Sequence, residues 1–386
     1  MMPVGFEMKP IGDCVQEISS WNPERDGGDE EICYLDLSSV SQETKTVESH
    51  SRVLAKDAPS RARQLVRSGD ILVSTVRPNL NGVARVPDSF DGATASTGFC
   101  VLRPDSSKLL GEYLLHWVKT PAFVLDMTRK ATGASYPAVS DRIIHESLLP
   151  LPPLHEQQRT AAILDQAEAL RTKRRLALGK LDTLTQSLFL DLFGDPRTNP
   201  NDWPFQSLAK LGRVVTGGTP PSAMEGMFGG DIPFITPGDL ESDEPVKRTL
   251  TEAGADESRT VRAGATLVCC IGATIGKMGK AAQRSAFNQQ INAVEWGEDI
   301  NDEFGLATLR FFKSKIAGAG ASTTLPILKK SAFQQIEIPV PPIDLQEEFS
   351  RRATVVERVR GEQMQSQLKL DALFASLQHR AFRGEL

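Results

Sequence analysis

The sequence predicts an α+β protein made of two tandem β-rich α/β domains, each closed by a long coiled-coil helix. Three observations carry that prediction. The chain spells one phrase twice, "LLPLPPLHEQQR" from Leu148 and "IEIPVPPIDLQEE" from Ile336; Pro150, Pro152 and Pro153 match Pro339, Pro341 and Pro342 at an offset of 189. The segments before each phrase are rich in Gly, Pro, Thr and short β-like runs. The segments after each phrase carry apolar residues at sevenfold spacing.

The elements follow in chain order. "IGDCV" from Ile11 parallels "LGRVV" from Leu211, and "EICYLD" from Glu31 parallels "DIPFIT" from Asp231, both at an offset of 200. "VRSGDILVST" from Val66 matches "VRAGATLVCC" from Val261 at an offset of 195. "FCVLRP" and "INAVEW" are further strand-like runs, and "GAS" at Gly133 recurs at Gly320. Offsets that shrink from 200 to 189 fit loop insertions and deletions within one duplicated unit, and a period this long means tandem domains rather than a solenoid. The proline phrase has few amide donors and a fixed φ, so it reads as an extended strap ending each domain.

Helices are expected over His155–Leu192 and Leu345–Phe382. Ile163, Leu170, Leu181, Leu184 and Leu188 form the expected seam of the first, and Val356, Leu370, Leu373 and Leu377 that of the second, with polar interruptions at Gln363 and Gln367. At 1.5 Å rise, each would span about 57 Å. Two separate amphipathic helices, one on each domain, are the alternative; such helices typically run only about 8 to 20 residues. The division is therefore 1–153, 154–194, 195–343 and 344–386.

Composition sets the class. With 386 residues, 40% hydrophobic and 24% charged, the chain reads as a soluble multidomain protein. No run approaches the roughly 18 apolar residues of a membrane span, and the N-terminus lacks the pattern of a secretory signal. Cys14, Cys33, Cys100, Cys269 and Cys270 lack C-x-x-C spacing, so reduced thiols in a cytoplasmic protein and no metal are expected. The net charge of −5 announces no nucleic acid, although Arg52 to Phe90 holds seven basic residues against three acidic.

Motifs for chemistry come near and fail. "GATIGKMGK" from Gly272 has three residues between its glycines where a P-loop needs four, and Met278 stands where Ser or Thr should hold magnesium. "TNPNDWP" from Thr198 lacks the proline and aromatic that follow Asn-Pro in amino-methyltransferases. Glu43-Thr44-Lys45 is an isolated triplet that reads as surface, and no G-x-S-x-G or H-E-x-x-H occurs. The chain reads as non-catalytic.

Polar loops at equivalent places in the halves remain. "STVRPNLNG" supplies Thr75, Arg77, Asn79 and Asn81; "ATGASYP" supplies Thr132, Ser135 and Tyr136. In the second half, "VVTGGTPPS" supplies Thr216 and Thr219, "ITPGDL" Thr236, and "CIGATIGKMGK" Thr274, Lys277 and Lys280. "FNQQINAV" adds Asn288, Gln289 and Gln290, and "AGASTTLP" adds Ser322 and Thr323. Arg suits guanine edges, Asn and Gln suit adenine, and Lys suits phosphate. Each loop alone could be a turn chosen for Gly and Pro geometry.

The arrangement resembles the specificity subunit of type I restriction-modification systems. The resemblance rests on the two strap phrases, the helices after them, "VTGGTP", "ITPGDL" and the ending "SLQHRAFRGEL", and it covers the whole chain. The first half departs from it, with "EISSWNPER" and "YLDLSSV" in place of "VTGGTPPS" and "FITPGDL". The resemblance implies two target-recognition domains, each reading half of a bipartite site in double-stranded DNA. It implies antiparallel packing of the long helices, which leaves a spacer unread; equal helix lengths then give pseudo-twofold placement of the domains. It implies two methyltransferase (modification) subunits as partners and, in some complexes, restriction subunits. S-adenosylmethionine and ATP/Mg would belong to those partners, with no cofactor on this chain. The competing readings are a coiled-coil adaptor whose paired domains bind proteins or ligands, and an enzyme with an unrecognised site.

Overall fold

The computed structural model describes residues 6–221, 224–242, 244–319 and 326–386. The chain forms two compact units, Met1–Arg175 with Gln365–Leu386, and Leu176–Met364. Each long helix is thus shared between the units.

The first unit contains β1 (Met8–Pro10), β2 (Val15–Gln16), β3 (Glu31–Leu35), β4 (Ser51–Leu54), β5 (Ala62–Leu65), β6 (Ile71–Ser74), β7 (Val83–Arg85), β8 (Thr94–Ser96), β9 (Phe99–Pro104) and β10 (Leu148–Pro150). They form an antiparallel sheet β2-β9-β6-β7, a mixed sheet β4-β3-β8-β5 in which β3 and β8 run parallel, and the pair β1-β10. The second unit contains β11 (Phe205–Ser207), β12 (Gly212–Thr216), β13 (Phe228–Ile235), β14 (Thr249–Leu250), β15 (Thr260–Val261), β16 (Thr266–Cys269), β17 (Met278–Lys280), β18 (Ser285–Phe287), β19 (Ile291–Trp296) and β20 (Glu337–Pro339). Its sheets are β12-β19-β16-β17, β14-β13-β18-β15 and β11-β20. Every strand therefore has its counterpart ten places later.

The central strands are apolar on both faces because both faces are covered. Ile71, Val73, Cys100 and Leu102 pack with Tyr113, Leu114 and Val118 of the helix Gly111–Val118. The alternate residues Leu72, Ala84 and Val101 meet Leu35 and Ala95 of the mixed sheet. The second unit repeats this: Val268 and Val294 face Phe304 and Leu309 of the helix Asp302–Phe311, while Leu267 and Ala293 face Ile235 and Phe287.

The proline phrase is a strap, as its composition predicts. β10 pairs antiparallel with β1, Leu149 opposite Lys9, and β20 pairs with β11, Ile338 opposite Gln206. Just after each strap a buried glutamine fastens the long helix to its domain. The Gln157 amide donates to the carbonyls of Lys108 and Pro152 and accepts from Leu110 N. Gln346 donates to Asp299 and Pro341 and accepts from Asn301 N.

The long helices run Leu154–Phe193 and Ile343–Ala381. The first ends on Gly194 in the left-handed region (φ 69), and Asn201 Nδ2 donates to the free carbonyl of Phe193. The TNPNDWP stretch is thus a helix terminator. In the first unit Arg171 Nε donates to Asp371 at 2.6 Å, while Asp165 and Gln378 meet at His116. The two helix segments therefore run in opposite directions within that unit. In the second unit the Phe189 ring lies 5.5 Å from Phe349.

Of the two expected registers of the first helix, the one through Leu181 and Leu188 is covered and the one through Leu170 and Leu184 is displaced by one residue. Val356 is buried, and Ile163, Leu181, Leu188, Leu370 and Leu377 are half-buried. Leu170, Leu184 and Leu373 are instead 55%, 41% and 53% exposed. The covered positions at sevenfold spacing are Thr160, Ala167, Arg174, Leu181 and Leu188 and, in the second register, Gln157, Leu164, Arg171, Leu178 and Thr185. Three of the five in the second register are polar, so counting leucines there selects the neighbouring positions.

Candidate nucleic-acid interface

In the second unit, strand register places Thr216, Asn292, Val268 and Met278 in one row across the sheet. The turns beyond that row, 217–219, 270–277 and 288–290, therefore share one edge. There the Thr216 hydroxyl donates to Asn292 Oδ1 at 2.7 Å, and the Thr219 hydroxyl to Gln289 Oε1 at 2.6 Å. Asn288 Nδ2 donates to Gln290 Oε1 at 3.0 Å. Gly217 is required at this point, since a Cβ would lie 2.2 Å from the Asn288 carbonyl oxygen. The edge is thus a set of amides and hydroxyls that hold one another in place.

In the first unit the matching edge is built from turns 75–82 and 132–138. Arg77 N donates to Pro137 O at 2.7 Å, Val139 N donates to Thr75 O at 2.9 Å, and Val76 bridges Ala138. Arg77 and Asn81 both sit in the left-handed region, at φ 50 and 48. The Arg77 guanidinium carbon lies 4.6 Å from the centroid of the Tyr136 ring, which is 68% exposed. Asn79, Thr132 and Ser135 are exposed on the same pair of turns, and Asn81 is half-buried.

Several candidates lie elsewhere or are already engaged. Thr75 is buried and its hydroxyl donates to Gly98 O at 2.9 Å, so it holds the turn rather than a ligand. Thr236 donates through both N and Oγ1 to Asp239, closing its own turn. Thr274 lies half-buried beside the Cys269 sulfur, and Lys277 is half-buried in the same turn. Lys280 is opposite Thr266 at the far end of β17, and its ammonium is paired with Glu303. Ser322 and Thr323 lie outside the described residues.

Three of the seven basic residues in the run of the first half are neutralised. Arg52 pairs with Glu31, Lys56 with Asp29 and Arg85 with Glu112. Among the described residues, Arg77 has no carboxylate partner.

Comparisons with known proteins supply the family. The family described as type I restriction modification DNA specificity domain matches residues 62–178 and 200–367, well over half of the chain. The chain belongs to that family. The specificity subunit of the type I restriction enzyme HindI from Haemophilus influenzae is 22% identical over 78% of this chain and 83% of its own length. A structure described as complex assembly and conformational transition of the type I R-M system contains a chain that is 24% identical, fully covered, with a TM-score of 0.64. The type I restriction-modification S subunit from M. genitalium is 13% identical, covered over 99% of both chains, with a TM-score of 0.63. At those identities the two structures speak for the fold.

This specificity chain carries two edge residues that motif reading passed over. Lys45, dismissed as surface, donates from Nζ to Asn81 O at 2.6 Å and so supports the left-handed turn; burial and the nearby Lys119 hold its pKa below the usual lysine range. Arg259 donates to Thr216 O at 3.3 Å from an exposed position, setting a cation beside the amide edge. Neither has a sequence signal, because each reaches its partner from a distant turn.

Other features of the specificity chain offer less. A cleft of about 810 Å³ in the second unit is lined by Glu241, Lys280 and Lys313 among others, with Lys313 and Lys280 already ion-paired. Burial pushes the Cys270 thiol up to about 12, and Cys100 higher still, so both are unreactive. Among the described residues no group of three or more His, Cys, Asp and Glu could hold a metal, and no helix is long and apolar enough to cross a membrane.

Proposed function

We propose that each unit reads one part of a bipartite DNA site through its turn edge, and that the long helices set the spacing between the parts. The observation that carries this reading is one scaffold used twice with different side chains at the same edge: Arg77 and Tyr136 in one unit, Thr219, Gln289 and Gln290 in the other. Direct readout needs donors and acceptors of that kind held at fixed positions. On this reading 1–153 and 195–343 are the target-recognition domains, and 154–194 and 344–386 form an antiparallel coiled-coil spacer with pseudo-twofold placement of the domains.

The chain itself is non-catalytic and acts in the cytoplasm. Two modification subunits dock on it and methylate adenine with S-adenosylmethionine, and a restriction subunit brings ATP/Mg. Partner subunits supply much of the phosphate contact, which reconciles a net charge of −5 with DNA binding. The test is to express the chain with its cognate methyltransferase subunit and map methylated adenines. A bipartite motif with a fixed unread gap is expected. Methylation without such a motif, or no salt-dependent DNA binding by the complex, would favour an adaptor role instead.

A further inference from the structure

Arg77 and Gly272 occupy the same place in the two units. Arg77 N donates to Pro137 O, and Gly272 N donates to Pro326 O at 2.9 Å. Val76 bridges Ala138 as Ile271 bridges Ile327. Val139 N donates to Thr75 O as Leu328 N donates to Cys270 O. Both residues have positive φ, 50 for Arg77 and 89 for Gly272. A left-handed backbone suits glycine and strains an arginine. Since the second unit closes the identical turn with glycine, the fold does not call for arginine there.

What the arginine gains is direction. Its amide is locked to Pro137, its guanidinium lies over the exposed Tyr136 ring, and among the described residues no carboxylate competes for it. A phosphate contact tolerates a flexible cation, whereas a bidentate contact to a base edge needs the guanidinium plane fixed. Arginine's bidentate partner in the major groove is guanine O6 and N7. In the second unit the residues 320–325 that match the Tyr136 turn contain no aromatic, and the nearest side-chain atom to a Cβ on Gly272 would be the Gln290 amide nitrogen.

Resting on the DNA-reading role above, we propose that Arg77, held by Tyr136, is a specificity-determining residue that reads a guanine in one half-site only, the half read by the first unit.

The test uses the full chain in complex with its methyltransferase subunit, methylating a DNA library randomised in both half-sites. The wild type should require guanine at a position of one half-site. Arg77→Gly restores the residue the second unit uses, so its melting temperature should stay the same or rise. Discrimination at that guanine should nevertheless fall on the order of 10- to 100-fold, with the other half-site and the gap unchanged. Tyr136→Phe should keep most of the discrimination and Tyr136→Ala should lose a large part of it. A wild-type complex with no bipartite motif overturns the DNA-reading role and this inference together. A bipartite motif whose guanine stringency survives Arg77→Gly overturns the inference alone. So does uniform weakening on all sequences with the salt slope reduced by about one, which marks a phosphate contact.

Discussion

The two units share strand order, strap pairing and glutamine joint, yet satisfy one backbone amide differently. In the first unit Asp70 accepts from Arg67 N at 2.8 Å and from the Arg103 guanidinium at 2.9 and 2.7 Å. In the second unit the residue matching Asp70 is Ala265, and Glu295 stands at the place of Arg103. Glu295 accepts from Arg262 N at 2.8 Å and from Arg213 at 2.7 Å. The amide is satisfied in both cases, but the acceptor moves from Asp70 before β6 to Glu295 on β19, and its arginine partner from Arg103 on β9 to Arg213 on β12. What the fold demands is an acceptor for that amide; which element supplies it is free.

That shift sets up the largest expected difference. The Asp70 and Arg103 side chains are 2% and 10% exposed, so Asp70→Ala strands a buried guanidinium and should cost about 3–5 kcal/mol. Arg213 is 65% exposed, so Arg213→Ala should cost about 1 kcal/mol or less. Hydrogen-exchange mass spectrometry reads the units separately; equal loss of protection from the two variants would break the comparison. Next in size are the joints. Gln157→Ala and Gln346→Ala each leave two carbonyls and one amide without their partner, so each should cost about 2–4 kcal/mol in its own unit. Unequal losses would mean that the joints are alike in geometry but not in strength.

Comparable in size is the seam. Leu164 is fully buried and Leu170 more than half exposed, so Leu164→Ala should destabilise by about 2–5 kcal/mol and Leu170→Ala hardly at all. The reverse would restore the register read from the sequence. That register shows how legibility divides in this chain. The duplication, straps and helix lengths were readable because proline spacing and long apolar periods are local. The phase of one of the two registers was not, because Arg171 and Gln367 lie on the covered face and break the apolar count. The glutamine joint lies inside the repeated phrase, but its partners at Lys108 and Leu110 are 49 and 47 residues away. Lys280 looks like a free polar group because sequence does not say which end of a strand it occupies, and Thr75 because sequence does not show the distant Gly98 carbonyl that takes its hydroxyl. Arg77 was nominated for its chemistry alone; its backbone becomes conspicuous only when set beside Gly272.

The smallest expected effect is a pH dependence confined to the first unit. His116 is buried and its Nε2 donates to Asp165 Oδ1 at 2.8 Å. Its Nδ1 is buried with no hydrogen-bond partner among the described residues. A neutral ring suits that setting, whereas a protonated one would bury a donor with nothing to accept from it. Burial therefore lowers its pKa, with Lys119 acting in the same direction, and outweighs the opposing pull of Asp165 and Glu168. The unfolded chain takes up this proton near pH 6.5 while the folded unit resists, so the unfolded state binds more protons below about pH 6.5. Stability of the first unit should hold at neutral pH and decline as pH falls through that window. Counted from the anchored amides of Leu110 and Asn301, the second unit has Ala307 at the equivalent place, which cannot titrate. Exchange protection compared at pH 7 and pH 5.5 should therefore drop more in the first unit than in the second. His116→Gln keeps a donor for Asp165 without a titrating ring and should remove most of the difference; an unchanged difference in that variant would place the proton uptake on another group.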